Sequence, residues 1–261
     1  MTEQQKPVRH VLGLSGGKDS AALAIYLKDK GTVPEMEYFF CDTGAELPEV
    51  YDFIDRMEDY LGKEVVRLNS GRDFDHHLKR FGGYLPSPRQ RWCTRVMKIE
   101  PFERFIGEDE ALSYVGIRAD EQRDGYISTK RNIKPVFPFI RDGIVRDDVF
   151  RILTDTVGIP AYYKWRKRSG CYFCFFQQRN EWLGLQRHHP DLFDAAKRYE
   201  SDKDGYTWVH GLTLDELVAR ASDIEELKPN QATRTGSWQD ALRFASEDDD
   251  PEDQACLICS L

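Results

Sequence analysis

The chain reads Ser15-Gly16-Gly17-Lys18-Asp19-Ser20 at the junction of its first two predicted elements. Residues 8–14 before it are mostly apolar and predict a short buried strand, and residues 20–30 after it predict an amphipathic helix that ends at Gly31. Glycines let backbone N–H groups approach and surround phosphate oxygens, and a helix N-terminus adds partial positive charge. The segment therefore predicts an anion-binding loop in which the lysine and the two serines add donors.

Strands and helices alternate along the chain on the C-terminal side of this loop. Such alternation is typical of a mostly parallel sheet with helices on both faces, so we expect a doubly wound α/β fold with a helical C-terminal region. The two prolines of residues 134–140 limit that segment to a sheet edge. Further strands are predicted at residues 36–41, 64–68, 112–117 and 134–140, and helices at residues 47–61, 94–106, 145–157, 177–186, 190–200 and 213–221.

Three units are expected along the chain. Residues 1–160 are predicted to form a nucleotide-binding α/β domain, residues 161–222 a helical region that contains cysteines, and residues 223–261 a loosely ordered acidic tail. Six acidic residues of the tail lie between positions 247 and 253, so the remainder of the chain carries only two of the eight net negative charges. Residues 162–179 and 72–104 are rich in basic residues and are candidates for surfaces that face phosphate.

Composition excludes several classes of protein. A chain of 261 residues with 40% hydrophobic residues is typical of a globular protein rather than a disordered, collagenous or coiled-coil one. No stretch approaches the roughly 20 apolar residues that span a bilayer, and residues 1–6 lack the apolar segment of a signal peptide. We therefore expect a cytoplasmic protein without a membrane partner.

The phosphate loop, residues 15–20, differs from the Walker pattern G-x-x-x-x-G-K-[ST]. That pattern requires glycine where this chain has Leu12, and serine or threonine where it has Asp19. The loop instead resembles the S-G-G-x-D-S PP-loop of the N-type ATP pyrophosphatases, which cleave ATP between the α and β phosphates and adenylate a substrate oxygen. Residues 39–49, Phe-Phe-Cys-Asp-Thr-Gly-Ala-Glu-Leu-Pro-Glu, are similar to the D-T-G-x-E-x-P-E segment of the phosphoadenosine phosphosulfate reductase superfamily.

Further blocks resemble one branch of that superfamily, the ATP pyrophosphatase of bacterial DNA phosphorothioation systems. They are R-W-C-T-R and K-I-E-P within residues 91–101, G-I-R-A-D-E-Q-R at residues 116–123, and R-S-G-C-Y-F-C at residues 168–174. The resemblance implies an adenine nucleotide alpha hydrolase-like fold, with ATP and Mg²⁺ as cofactors. It also implies DNA as the substrate, with a cysteine desulfurase as sulfur donor and other phosphorothioation proteins as partners.

The resemblance also assigns roles to individual residues. The catalytic residues are Lys18, Asp19, Ser20 and Arg118, and the nucleotide-binding residues are Ser15, Gly16, Gly17, Lys18, Asp19, Ser20, Asp42 and Thr43. The substrate- and phosphate-binding residues are Arg91, Arg95, Lys98, Arg118 and Arg123. From the residues alone, Asp42 fits a helix cap and turn as well as it fits a role in holding Mg²⁺ or adenosine, and the arginines fit surface ion pairs with nearby acidic residues.

The six cysteines include two C-x-x-C pairs, at positions 171 and 174 and at positions 256 and 259. In a cytosolic chain this spacing indicates a metal, an iron–sulfur cluster or a redox dithiol more often than a structural disulfide. The resemblance implies a 4Fe-4S cluster on Cys93, Cys171 and Cys174, with Cys259 or alternatively Cys256 as the fourth ligand. A zinc site on the two C-x-x-C pairs, and reduced thiols without a metal, remain alternatives.

The expected function is adenylation of a DNA backbone phosphate, which opens that phosphate to attack by sulfur. An oxygen of a phosphodiester is a poor leaving group, whereas AMP is a good one. A phosphoadenosine or adenosine phosphosulfate reductase is the first alternative, although the E-C-G-L-H segment typical of those reductases is absent. A tRNA thiolation enzyme and a non-catalytic nucleotide-sensing subunit of an antiviral defence complex are the others.

Overall fold

The computed structural model describes residues 7–33, 35–121, 128–201 and 205–221. Within these ranges the strands form one five-stranded parallel sheet with the order β3-β2-β1-β4-β5. The strands are β1 (Arg9–Gly13), β2 (Met36–Cys41), β3 (Val65–Leu68), β4 (Ala111–Tyr114) and β5 (Ile133–Val136). The doubly wound α/β fold predicted from the alternating pattern is therefore confirmed.

Helices connect the strands and cover the sheet. Gly31 and Gly62 end the first two helices in the left-handed conformation, which glycine adopts at little cost. The helices are α1 (Lys18–Lys30), α2 (Pro48–Leu61), α3 (Phe74–Arg80), α4 (Trp92–Thr94), α5 (Glu100–Ile106), α6 (Pro138–Asp142), α7 (Arg146–Thr154), α8 (Arg179–His188), α9 (Pro190–Lys197) and α10 (Leu214–Ala219).

The order of the strands reverses direction between β1 and β4. From β1 the chain builds β2 and β3 on one side, and it then returns to add β4 and β5 on the other side. Ligands of open α/β sheets bind in the crevice beyond the carboxyl ends of the strands at such a reversal. The phosphate loop follows β1 directly, and the segment from Val115 to Arg118 follows β4, so both lie at this crevice.

Most predicted elements begin and end within two residues of the observed ones. The strand predicted at residues 112–117 and the helices predicted at residues 145–157 and 190–200 end three residues earlier than predicted, and two further elements differ in kind. The helix predicted at residues 94–106 is a composite, in which the π-helical turn Arg95–Ile99 joins α4 to α5. The strand predicted at residues 134–140 ends at Val136, because Pro138 opens α6 instead. A proline fits the first turn of a helix and the edge of a sheet, and the sequence pattern alone does not distinguish these two uses.

The region after residue 160 packs into the same core as the sheet domain. One buried cluster contains Leu12 of β1 and Val50 of α2 together with Trp182 of α8 and Trp208. The core is therefore continuous across the domain boundary expected at residue 160. The tail expected at residues 223–261 lies outside the described residues, and none of the described helices is long and apolar enough to cross a membrane.

Candidate active site: a phosphate loop beside a thiol pocket

The phosphate loop is shaped by glycines that no larger residue can replace without displacing a neighbour. Gly16 has a φ of +75°, and a Cβ at this position would lie 2.5 Å from Cγ1 of Val50. A Cβ on Gly17 would lie 2.8 Å from the hydroxyl oxygen of Ser169. The backbone of the loop therefore runs directly against α2 on one side and against the C-terminal region on the other.

The two serines close the loop on itself. The backbone N–H of Ser15 donates to Oγ of Ser20 at 3.2 Å, and the two serine hydroxyls lie 3.2 Å apart. The Ser20 hydroxyl also donates to the carbonyl of Gly17 at 3.3 Å. Both side chains are buried, so these hydrogen bonds hold the start of α1 at a fixed position relative to the end of β1.

Asp19 is held between two cations. Nζ of Lys18 lies 2.9 Å from one of its carboxylate oxygens, and a guanidinium nitrogen of Arg118 lies 2.8 Å from the other. Burial by itself would raise the pKa of Asp19, but the charges of Lys18 and Arg118 outweigh this effect and hold the pKa well below its usual range. Asp19 is thus a carboxylate at neutral pH and fixes both cations beside the loop.

Arg118 is itself an almost buried cation with several acidic neighbours. Its side chain is 11% exposed and also pairs with Asp120 at 3.0 Å and with Glu121 at 2.5 Å. Burial lowers the pKa of Arg118, but Asp19 and the other acids more than offset this and raise it above its ordinary value. Arg118, which the sequence predicts to be catalytic, is thus a charged residue that lies at the crevice next to α1.

Residues 162–169 pack over the phosphate loop, which the sequence analysis missed. The hydroxyl of Tyr162 donates to the carbonyl of Gly16 at 2.6 Å, and the backbone N–H of Lys18 donates to the hydroxyl of Tyr163 at 3.0 Å. Both tyrosines are buried, as are Trp165 and Arg166, whose guanidinium donates to backbone carbonyls. This part of the basic, aromatic segment is therefore in the interior of the protein. The sequence did not predict this, because the spacing of aromatic residues alone does not distinguish a buried ring from an exposed one.

The chain after β2 lines the other side of the crevice. Oδ1 of Asp42 accepts the backbone N–H of Gly44 at 2.8 Å and the hydroxyl of Tyr51 at 2.9 Å, which is the turn geometry that the residue type allows. The hydroxyl of Thr43 donates to Oε1 of Glu46 at 2.9 Å. The other oxygen of Glu46, Oε2, is buried and has no hydrogen-bond partner among the described residues.

A cavity lies beside the loop, and we call it the thiol pocket. It has a volume of about 50 Å³ and apolar, largely aromatic walls. The polar and sulfur-containing residues of its lining are Thr43, Cys93, Thr94, Met97, Lys98, Cys171 and Cys174. The fold thus brings Cys93 to the C-x-x-C pair of Cys171 and Cys174, although 78 positions separate Cys93 from Cys171.

Cys171 connects the pocket to the end of β2. Its sulfur lies 3.2 Å from Oγ1 of Thr43 and 3.6 Å from Oε1 of Glu46, and a short antiparallel bridge joins the backbones of residues 46 and 171. Burial raises the pKa of Cys171 well above its usual value, and the charge of Glu46 raises it further. Burial also raises the pKa of Cys93, to about 11. Both thiols are therefore protonated at neutral pH in the absence of a ligand.

Lys98 supplies a positive charge to the thiol pocket. Burial lowers its pKa, but the charge of the neighbouring Glu46 opposes this, and the pKa stays above the ordinary value. Nζ of Lys98 makes no ion pair within 4 Å with any residue of the described ranges. Lys98, which the sequence predicts to face phosphate, therefore lies as a cation beside the pocket thiols, and Glu46 is the acidic residue with the largest effect on its pKa.

The donor set of the pocket suits a soft metal, but its sulfurs do not converge on one point. Within the described ranges, no three side chains of histidine, cysteine, aspartate or glutamate are close enough together to hold a metal ion. Cys256 and Cys259, the candidates for a fourth ligand, lie outside the described residues. The iron–sulfur assignment stays a prediction, and no step below depends on it.

The other predicted substrate-binding arginines lie in three different situations. Arg91 donates to the carbonyl of Pro88 at 3.2 Å and lies near the pocket. Arg95 is mostly exposed and lies 3.4 Å from Glu100. Arg123 lies outside the described residues. The structure thus brings Arg118 to the phosphate loop and Arg91 and Lys98 to the thiol pocket.

Comparisons with known proteins find a family match and several similar proteins. Residues 9–138 match the model of the phosphoadenosine phosphosulfate reductase domain family. The uncharacterized protein MJ0066 of Methanocaldococcus jannaschii is 29% identical over 222 residues, which cover 80% of this chain and 44% of that protein. A second protein of that organism, MJ0973, is 29% identical over 205 residues, which cover 73% and 48%. The chain thus spans about half the length of these two relatives.

Proteins of named activity are also similar. The tRNA-specific 2-thiouridylase MnmA of Verminephrobacter eiseniae is 27% identical over 267 residues, which cover 87% of this chain and 69% of that protein. A crystal structure of phosphoadenylyl-sulfate reductase from Candida auris, in a phosphate complex, superposes with a TM-score of 0.43 and 16% identity. That superposition covers 57% of this chain and 73% of the reductase.

Proposed function

We propose that this chain is an ATP pyrophosphatase that activates a nucleic-acid oxygen for sulfur transfer. Its residues 9–138 match the phosphoadenosine phosphosulfate reductase domain family, and the proposal accordingly takes the chain as a member of the PP-loop ATP pyrophosphatase superfamily. In its more specific form, the activated oxygen belongs to a DNA backbone phosphate. The product is then a phosphorothioate linkage.

One observation carries the proposal, namely that a single segment joins the phosphate loop to the thiol pocket. Ser169 lies against Gly17 of the loop, and Cys171, two residues later, lines the pocket. Cys171 in turn contacts Thr43 and Glu46, which follow the strand next to β1. Nucleotide chemistry and sulfur chemistry therefore have adjacent sites in one crevice.

The phosphate loop supports binding of the β and γ phosphates of ATP. Glycines and the N-terminus of α1 offer backbone donors, while Lys18 and Arg118 bring positive charge that Asp19 holds in place. Mg²⁺ binds such sites mainly through substrate phosphates and one or two carboxylates. Asp42 is the carboxylate that would hold Mg²⁺, because both of its side-chain hydrogen bonds with described residues go to Oδ1 and leave Oδ2 as the oxygen for a metal ion.

The reaction has two displacements. An oxygen of the nucleic acid first attacks the α phosphorus of ATP, so that a bond to AMP forms and pyrophosphate leaves. A cysteine desulfurase partner supplies sulfur as a persulfide, whose terminal sulfur then attacks the activated atom, and AMP leaves with the oxygen. A second thiol attacks the carrier sulfur of the persulfide, so that the S–S bond breaks, a disulfide forms between the two thiols and the transferred sulfur stays on the product. Arg118 and Lys18 stabilise the charge that develops on the departing pyrophosphate.

A tRNA thiolation enzyme is the second candidate, and the similarity to tRNA-specific 2-thiouridylase MnmA favours it. In this case the activated oxygen is a base carbonyl rather than a phosphate oxygen. The phosphate loop and the thiol pocket have the same roles in both reactions. A sulfonucleotide reductase also remains compatible with the family match, and it differs in producing sulfite.

Mass spectrometry of nucleic acids from cells with and without the gene separates these candidates. We expect phosphorothioate dinucleotides in DNA digests from cells that carry the gene, their loss on deletion, and their return with the wild-type gene but not with an Asp19→Ala variant. Loss of a thiolated tRNA nucleoside, with DNA unchanged, would instead select the second candidate. If neither changes, the proposal is wrong.

A further inference from the structure

The side chain of Ser169 lies against the phosphate loop with its hydroxyl unsatisfied. The residue is 7% exposed, and among the described residues its hydroxyl has no hydrogen-bond partner. Burying a hydroxyl without a partner is unfavourable, and native proteins pair the large majority of such groups. An unpaired hydroxyl at this position therefore indicates a partner that the protein binds.

The hydroxyl of Ser169 is directed at the loop. From the point that a Cβ on Gly17 would occupy, Oγ of Ser169 lies at 2.8 Å and Cβ of Ser169 at 3.6 Å. The hydroxyl is thus the part of the side chain that is nearest to the loop. Oγ of Ser15 lies 3.2 Å from the same point, so two serine hydroxyls converge on the space that the missing side chain of Gly17 leaves open.

These two hydroxyls differ in what they bond. Oγ of Ser15 lies 3.2 Å from Oγ of Ser20 and accepts the backbone N–H of Gly17 at 3.4 Å, so it is engaged in shaping the loop. The proton of the Ser169 hydroxyl is available for a ligand. A phosphate oxygen only accepts hydrogen bonds, and a hydroxyl donates one, so the anion for which the loop is shaped is a complementary partner.

Contacts on both sides of Ser169 fix its position before a ligand arrives. On the N-terminal side, the hydroxyls of Tyr162 and Tyr163 bond to the backbone of the loop at 2.6 and 3.0 Å. On the C-terminal side, the buried guanidinium of Arg166 donates to the carbonyls of the two residues that follow Ser169, at 3.1 and 2.8 Å. A donor that is already held in place loses little conformational entropy on binding, so its hydrogen bond adds to affinity.

We propose that Ser169 is a phosphate-binding residue, whose hydroxyl donates a hydrogen bond to an oxygen of the nucleotide phosphates held over Gly17. The residue belongs to the C-terminal region, so the phosphate site is completed by a segment outside the strand-loop-helix turn. The inference rests on the proposed function for the identity of the anion, which is the pyrophosphate part of ATP. Binding is measured without turnover, so the two fail separately.

Isothermal titration calorimetry of the full chain with inorganic pyrophosphate and with AMP, both in the presence of Mg²⁺, tests the site. Ser169→Ala is expected to weaken pyrophosphate binding by about tenfold to a hundredfold, the range for a hydrogen bond to a charged group. AMP lacks the phosphates that the loop holds, so its affinity is expected to stay within about twofold of the wild type.

The melting temperature of the ligand-free protein separates a binding role from a structural one. Because the hydroxyl has no partner among the described residues, Ser169→Ala is expected to melt at the same temperature as the wild type or higher. Ser113→Ala is the matched control, since Ser113 is also a buried serine but lies within β4. This variant is expected to bind pyrophosphate as the wild type does.

Three results overturn the inference. They are an unchanged pyrophosphate affinity in Ser169→Ala, an equal loss of affinity for pyrophosphate and AMP, and a lower melting temperature of the ligand-free variant, which would show that the hydroxyl is bonded within the protein. AMP formation from ATP by the wild type with nucleic acid is measured in parallel. Its absence together with the expected binding pattern refutes the proposed reaction and leaves the phosphate-binding role of Ser169 standing.

Discussion

The phosphate loop takes its ligand-facing groups from six consecutive residues and Arg118, whereas the thiol pocket takes its groups from segments around residues 43, 93–98 and 170–176. The polar groups of the loop satisfy one another: the serines bond to each other, and Asp19 pairs with both neighbouring cations. In the pocket, by contrast, Oε2 of Glu46 has no partner among the described residues, and burial raises the pKa of the Cys93 and Cys171 thiols and keeps them neutral. The loop is preorganised for an anion, whereas the polar groups and thiols of the pocket need a bound ligand to satisfy them.

The largest difference is expected when the charge that organises the loop is removed. Asp19→Asn keeps the size of the side chain but releases Lys18 and Arg118, so steady-state pyrophosphate release from ATP is expected to fall about 100-fold or more. Asp142→Asn is the matched control, because Asp142 also lies between two cations, Lys30 and Arg141, but outside the crevice. Equal rates for the two variants would show that the loop does not act as described.

The thiol pocket is expected to differ in chemical reactivity. Because burial raises the pKa of Cys93 from 9.0 to about 11, the thiolate fraction at pH 8 is about 100-fold lower than for an ordinary cysteine. Alkylation of Cys93 by iodoacetamide in the metal-free folded protein, followed by peptide mass spectrometry, is therefore expected to be slow at pH 8 and to accelerate as the pH approaches 11. The urea-unfolded chain is the control, and equal rates in both states would contradict the burial argument.

Sequence reasoning predicted the two regions to different extents for a physical reason. Ser15 to Ser20 form one turn between a strand and a helix, so their chemistry follows from neighbours in the sequence. The contacts of Cys171 with Thr43 and Glu46 span more than 120 positions and arise only from packing. Tyr162 and Tyr163 show the same limit, because nothing in their local pattern indicates that they bond to the phosphate loop.

Two glycines with positive φ separate backbone strain from crowding. Gly16→Ala places a Cβ against Val50, whereas Gly44→Ala, beside the thiol pocket, has nothing within 4 Å of its new atom. We expect about 1–2 kcal/mol of destabilisation for Gly44→Ala from the left-handed backbone alone, and about 1–3 kcal/mol more for Gly16→Ala from overpacking. Urea unfolding measures both changes, and equal destabilisation would contradict the close approach of the loop to α2.

The smallest effect is expected at the turn after β2. Tyr51→Phe removes one hydrogen bond to Asp42, which keeps its second bond from the backbone of Gly44. We expect about 1 kcal/mol of destabilisation in urea unfolding and an unchanged affinity for ATP by calorimetry. A loss of ATP affinity of tenfold or more would instead show that the hydrogen bond from Tyr51 positions Asp42 for its proposed role in binding Mg²⁺.

Chromatography of the products formed from α-labelled ATP tests the central claim most directly. The chain, incubated with Mg²⁺, ATP and the nucleic acid that supports turnover, is predicted to release label as AMP or as an adenylated product, with one pyrophosphate for each ATP consumed. Asp19→Asn is predicted to lower the rate of formation of both products about 100-fold or more. Release of ADP and inorganic phosphate, or of AMP at an equal rate from the Asp19 variant, would contradict the account of the phosphate loop.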